Sequence, residues 1–447
     1  MSSLYRCKFA PILAAPALLS IGLLMSGRSV AREIVLYNQP DVAAGIESVL
    51  FADAHGTLYG TGAGSGAGNN GAVFALSRPA EGQKDWTESI LYAFQGGNDG
   101  SFPVSALTPD GKGGFFGTTA YGGGGSCSLE STSGCGIVFH LSPPASGQTV
   151  WTETVLYRFQ GGSDGALLYA PVLYDAVANV LYGTTFIGGA SNAGTVFALT
   201  PPTSGETWTE TVLYSFTGGV DGGFPSGGLI ADETGTLYST TTAGGTTGSG
   251  AVFKLTPPAS GHSTWTETVI YSFLGFGFSD GATPYAGLVA DAAGNLFGTT
   301  ISGGAGNTSG VDENTGTVFE LSPPAAGQSA YTEAVLYSFS GQKDGASPSG
   351  ILIIDANGSL YSTTTGGGPM NNGTVFKLSP PTDGSTVWSE KVLHSFRGPP
   401  DDGNYPFSGG LLAARVGKST ALFGATFYGG TDAGGVVFEI TDSGFAQ

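Results

Sequence analysis

From residue 34 onward the apolar positions fall into runs of about five, separated by clusters of Gly, Pro, Asp and Thr. One stretch shows the pattern: Val212-Leu213-Tyr214-Ser215-Phe216, a Gly-Gly-x-Asp-Gly turn, Gly228-Leu229-Ile230-Ala231-Asp232, the short turn Glu233-Thr234-Gly235, and Leu237-Tyr238-Ser239-Thr240-Thr241. A Gly-rich loop leads to Ala251-Val252-Phe253-Lys254-Leu255, and Thr256-Pro257-Pro258 opens a loop to Trp265-Thr266-Glu267-Thr268. Runs this short, rich in β-branched and aromatic residues and bounded by turn formers, predict strands, and no window sustains a 3.6-residue apolar period. The connections are too short for helical crossovers, so the strands are expected to be antiparallel.

The pattern repeats. Leu-Tyr recurs at Leu36-Tyr37, Leu91-Tyr92, Leu156-Tyr157, Leu213-Tyr214 and Leu336-Tyr337, with Ile270-Tyr271 and Leu393-His394 as variants. Four antiparallel strands in a unit of about 57 residues make one propeller blade, whereas a β-helix coil is shorter and a sandwich longer. The Val-Phe strand occurs seven times, at Phe74, Phe139, Phe197, Phe253, Phe319, Phe376 and Phe438. The chain opens on a fourth strand, Ile34 to Tyr37, and ends on a third, Val436 to Ile440. Pairing these two would close a ring and remove two exposed edges. The expected fold is therefore all-β: a seven-bladed β-propeller of four-stranded antiparallel blades, closed by the N-terminal strand. Its repeat units run over about 34–89, 90–154, 155–211, 212–268, 269–334, 335–391 and 392–447, one domain from 32 to 447.

The segment Gly287-Leu288-Val289-Ala290-Asp291-Ala292-Ala293-Gly294-Asn295-Leu296-Phe297-Gly298-Thr299-Thr300 resembles the signature of the bacterial GloVer tandem repeat family. The resemblance covers about residues 34 to 440 because the motif recurs. It implies an exported, propeller-like protein, and it implies no particular activity. Members often carry a C-terminal sorting signal; here Asp442-Ser443-Gly444-Phe445-Ala446-Gln447 has neither an apolar anchor nor a basic tail, which puts that part of the resemblance in doubt.

Residues 1–31 differ from the rest. Arg6 and Lys8 precede an apolar run from Phe9 to Met25, and Ser29-Val30-Ala31 offers small residues for cleavage, the build of a secretory signal peptide. No later stretch is apolar long enough to span a bilayer. The expected product is an exported monomer, periplasmic, extracellular or on the bacterial surface. Cys127 and Cys135 then remain in a Gly/Ser-rich insertion and are expected to form a disulfide.

With 34 acidic against 15 basic residues the net charge is −19, which argues against nucleic acid and anionic membranes as partners. A glycan or an envelope protein remains compatible. Asp-Gly recurs between the outer strand and the next inner strand at Asp99, Asp164, Asp221, Asp280, Asp344 and Asp402. A ring of such carboxylates on one face is a candidate site for calcium (Ca2+) or a polyol, although Asp before Gly is also ordinary turn chemistry. No other cofactor is expected. A second series, Asp53, Asp110, Asp175, Asp232, Asp291 and Asp355, reads as hairpin turns on the opposite face. Trp86, Trp151, Trp208, Trp265 and Trp388 begin outer strands, where packing accounts for them.

A single catalytic site in a symmetric ring should break the repeat. The loop Gly304 to Gly316, with Asp312 and Glu313, is the best place for a lone metal site. His140 takes the variable place in Val-Phe-x-Leu and is expected to face solvent; His55 and His262 fall in loops, and His394 replaces a Tyr. None belongs to a local catalytic motif. The sequence thus points to a non-enzymatic binding propeller, with a carbohydrate-active hydrolase or lyase using loop carboxylates, or a passive surface protein, as the alternatives.

Overall fold

The computed structural model describes residues 31–447 except 40–44, 47, 67, 81, 84, 130–131, 204–207, 276–277, 305–314, 326, 329, 383–384, 408 and 418. The leader 1–30 and the pair Asp312 and Glu313 lie outside the described residues. Seven four-stranded antiparallel sheets form the blades of a propeller ring, and apart from two 3-10 turns the described residues contain no helix.

In the first blade the strands Phe51–Ala52, Leu58–Gly62, Ala72–Ser77 and Thr87–Ala93 follow one another from inside to outside. The next five blades repeat that order. The seventh has Leu412–Val416, Ser419–Ala425 and Val436–Thr441, and its outer strand is Arg32–Asn38 from the other end of the chain. Arg32 pairs with Thr441 and Asn38 with Val436, so the ring closes as the strand count requires. A sequence unit read from one Leu-Tyr to the next therefore contains the outer strand of one blade and the inner three of the following blade.

The Leu of each Leu-Tyr is a β-bulge. Val138 pairs with Tyr157 and Phe139 with Val155, leaving Leu156 without a partner on the third strand, and each blade skips the equivalent residue. The extra residue breaks the alternation of faces. Leu156 is buried, and Tyr157 packs partly buried against the same cluster.

Blades meet through aromatic pairs. The Phe two places after each Tyr lies edge-on against the Val-Phe phenylalanine of the next blade: Phe94 on Phe139, Phe159 on Phe197, Phe216 on Phe253, Phe273 on Phe319, Phe339 on Phe376 and Phe396 on Phe438, with centroids 5.0 to 5.2 Å apart. At the seventh junction Gln39 stands in place of that Phe, buried, with its Oε1 lacking a hydrogen-bond partner among the described residues.

Glycine in the second strand has a local cause. A Cβ on Gly183 would lie 2.4 Å from the Phe197 ring, and Gly183 pairs directly with Phe197 across the sheet. The ring thus covers a glycine of its own blade, not one of a neighbouring sheet.

The Thr-Thr of the second strand ties the ring together. In several blades the first hydroxyl reaches a carbonyl of the next blade, as in Thr118 to Ala170 O, Thr240 to Ala286 O and Thr61 to Ser105 O, whereas those of Thr184 and Thr299 are buried without a partner among the described residues. The second donates within its own blade, as in Thr119 to Tyr121 O and Thr241 to Ala243 O.

Candidate functional site

The Asp-Gly turns and the loops after Thr-Thr share one face, because short bridges join them: Ser101 with Tyr121, Ala166 with Ile187, Gly223 with Ala243, Ala282 with Ser302. On this face each Asp-Gly aspartate accepts from the Tyr of its own Leu-Tyr. The distances are 2.6 Å for Tyr92 to Asp99, 2.7 Å for Tyr157 to Asp164, 3.0 Å for Tyr214 to Asp221, 2.9 Å for Tyr271 to Asp280 and 3.1 Å for Tyr337 to Asp344. Backbone N–H groups add a second donor, from Gln95, Gln160, Thr217, Leu274 and Ser340. Asp402 receives His394 Nε2 at 3.1 Å and is fully buried. These six aspartates are brought to one face but each is engaged inward, across its own turn. Gly100, Gly165, Gly222, Gly281 and Gly345 take positive φ beside them, as the turn demands.

A glutamate near the start of each outer strand adds to this layer, and the sequence reading passed over it. Glu153, Glu210, Glu267, Glu333 and Glu390 each have a buried Oε1 without a partner among the described residues. Burial, and then the charge of the aspartate one blade earlier, push each of them up to about 7. At the seventh junction Tyr37 donates to Glu88 at 2.9 Å.

On the opposite face Asp53, Asp110, Asp232, Asp291 and Asp355 each accept two backbone N–H groups within their hairpins, so these are turn residues. His140 does not face solvent freely: its Nε2 lies 2.9 Å from Asp110 and its side chain is 23% exposed. Burial opposes ionisation of Asp110, yet donors from Lys112, His140 and Gly114 prevail and hold it below the usual range. His55 and His262 are exposed. Cys127 and Cys135 are joined, with Cα atoms 5.1 Å apart, and their sulfurs crowd Gly161 at the junction with the next turn.

The ring axis holds a cavity of about 290 Å3 to which all seven blades contribute, through residues just before their innermost strands. Its wall includes Val49, Val104, Tyr169, Tyr285, Ile351 and Phe407, with backbone from Gly227, Gly228 and Gly287, and among the described residues no acidic or basic side chain. Above it, the residue two places after each Asp-Gly glycine has positive φ: Phe102, Leu167, Phe224, Thr283, Ser347 and Tyr405. Each is pinned by an N–H bond to the preceding blade, as Phe102 to Asn70 O and Tyr405 to Asn372 O.

Around this mouth the aromatic residues form two chains and are unequal from blade to blade. Tyr285 meets Phe407 at 5.3 Å, Phe407 stacks on Tyr405 at 5.5 Å, and Tyr405 reaches Tyr428 at 6.2 Å. On the other side Tyr169, Phe186 and Phe224 form a chain at 5.2 and 5.5 Å. Tyr405 and Tyr428 are 41% and 44% exposed. The sequence signal was present: at the wall position the blades carry Val104, Tyr169, Ser226, Tyr285, Ser349 and Phe407, so these residues depart from the repeat.

The Gloeobacter/Verrucomicrobia repeat matches residues 124–323 and 306–446. The chain belongs to that repeat family. No curated protein matches it. Among solved structures it is similar to a putative 6-phosphogluconolactonase from Bacteroides uniformis at 14% identity, covering 77% of this chain and 83% of that one with a TM-score of 0.44. A protein of unknown function from Dyadobacter fermentans is 12% identical over 81% and 98%, with a TM-score of 0.42. The polysaccharide lyase Uly1 is 9% identical over 93% of each chain, with a TM-score of 0.43. At such identities these likenesses carry no activity over to the family member described here.

Proposed function

We propose that this protein is an exported binding module whose ligand is a neutral glycan, held by stacking at the aromatic mouth of the ring axis. The observation that carries the reading is the uncharged cavity wall with Tyr169, Tyr285 and Phe407 beneath exposed Tyr405 and Tyr428. Aromatic faces bury the apolar faces of sugar rings while the rim stays wet, and they need no charge to do so. The disulfide and the leader-like first thirty residues support export.

A glycan array followed by calorimetry on the mature protein tests this. Binding of one uncharged glycan class is expected, weakened at least tenfold by Tyr405→Ala and by Phe407→Ala with the fold retained. Turnover of the bound glycan would replace the binding module with an enzyme. The absence of any glycan binding would refute the reading.

A further inference from the structure

The junction between the sixth and seventh blades carries a histidine where the other six carry a tyrosine. Six outer strands carry Tyr at the place after the bulge, namely Tyr37, Tyr92, Tyr157, Tyr214, Tyr271 and Tyr337; the strand Ser389–Ser395 carries His394. The imidazole keeps the packing of the phenol it replaces, lying edge-on to Phe396 at 4.8 Å and 80°. It also keeps the bond to the Asp-Gly aspartate, Asp402. What changes is the donor set. A phenol of ordinary acidity is a poor metal ligand, whereas a neutral imidazole offers a lone pair.

Glu33 comes from the N-terminal strand, which forms the neighbouring outer strand of the closing blade. One ligand atom each from Glu33, His394 and Asp402 lies within 4.8 Å of the other two. The Glu33 Oε1 is buried and has no hydrogen-bond partner among the described residues. Asp402 is fully buried and is oriented by the N–H groups of Arg397 and Gly403, at 2.9 and 2.7 Å, which fixes its carboxylate as an outer hydrogen-bond shell fixes a ligand. The Arg397 guanidinium approaches the same carboxylate at 3.4 Å, but its side chain is 69% exposed and can turn to water.

We infer that Glu33, His394 and Asp402 form a site for a divalent transition ion of the zinc class, which clamps the N-terminal strand to the turn joining the sixth and seventh blades. One imidazole nitrogen and two carboxylate oxygens suit such an ion, with solvent completing its coordination. On binding, the Nε2 lone pair goes to the metal, the imidazole proton sits on Nδ1, and the hydrogen bond to Asp402 gives way to two metal–ligand bonds. Because the ligands come from the two ends of the chain, a bound ion would stabilise ring closure by linkage.

The test uses the mature, tag-free protein, stripped with chelator and titrated with zinc chloride, read by calorimetry and by Tm. One equivalent of zinc should bind and raise the Tm, and calcium chloride should not. His394→Tyr restores the residue of the other junctions, so it should fold while losing the zinc-dependent rise. Glu33→Gln is the second variant, expected to weaken zinc binding more than about tenfold. No zinc-dependent rise in the parent protein, or a rise that survives both substitutions, would overturn the site and leave His394 as a packing replacement for tyrosine.

Discussion

The Tyr157 hydroxyl donates to Asp164 at 2.7 Å across its own turn, and burial together with the charge of Asp164 pushes the carboxyl of Glu210 on the next blade up to about 7. The repeated Leu-Tyr and the repeated Asp-Gly are thus halves of one device that holds an outer strand against the junction.

Tyr157→Phe should therefore destabilise the protein by about 1–2 kcal/mol, the worth of a partly buried hydrogen bond to a charged group. Denaturant melts of this variant beside Asp164→Asn check it. If the two groups act as a pair, the double variant should cost less than the two single losses combined.

Gln39→Phe should stabilise, by about 1 kcal/mol, because it places at the seventh junction the aromatic that the other six use and removes a buried unpartnered amide oxygen. A lower Tm would show that the closing junction is built around the amide.

Stability should depend on pH through Glu153, Glu210, Glu267, Glu333 and Glu390, which burial and neighbouring charge push up to about 7. A carboxyl group raised on folding binds more protons in the folded state. Its contribution is complete below the ordinary value of 4.5 and is lost as the pH rises through about 7. The protein should accordingly melt higher at pH 5 than at pH 8, with about 1 kcal/mol from each glutamate after screening by solvent. Glu210→Gln should flatten the slope by its share.

Removing Arg32–Asn38 opens the seventh blade and exposes the edge of Val436–Thr441. A large fall in Tm, or association through the bare edge, is expected by calorimetry and light scattering. An unchanged monomer melt would contradict closure by this strand.

Cys127→Ser with Cys135→Ser should cost about 2–3 kcal/mol from the lost loop constraint, measured by denaturant melts under oxidising conditions. The ring itself should survive, since the insertion stands outside the blade strands.

The recurrence of Leu-Tyr, Val-Phe and Thr-Thr made the blade number, the strand order and the closing strand legible from the chain alone. Each strand is bounded by local turn chemistry, and a repeat exposes its own missing strand by counting. The pairing of Cys127 with Cys135 was legible for the same reason, since both lie in one insertion. His140 was misjudged because the residue opposite it, Asp110, belongs to a different turn, thirty positions away.

The sequence by itself determined the periodic part of this protein: which residues form strands, which form turns, and how many blades result. Only the tertiary structure decided what the non-periodic residues do together. Tyr285 and Phe407 stand over a hundred positions apart, yet they touch because the ring brings the approaches of all seven inner strands to one axis. Glu33 and Asp402 meet because the first strand completes the last blade. Local chemistry repeats along the chain, but proximity between repeats exists only once the ring has closed.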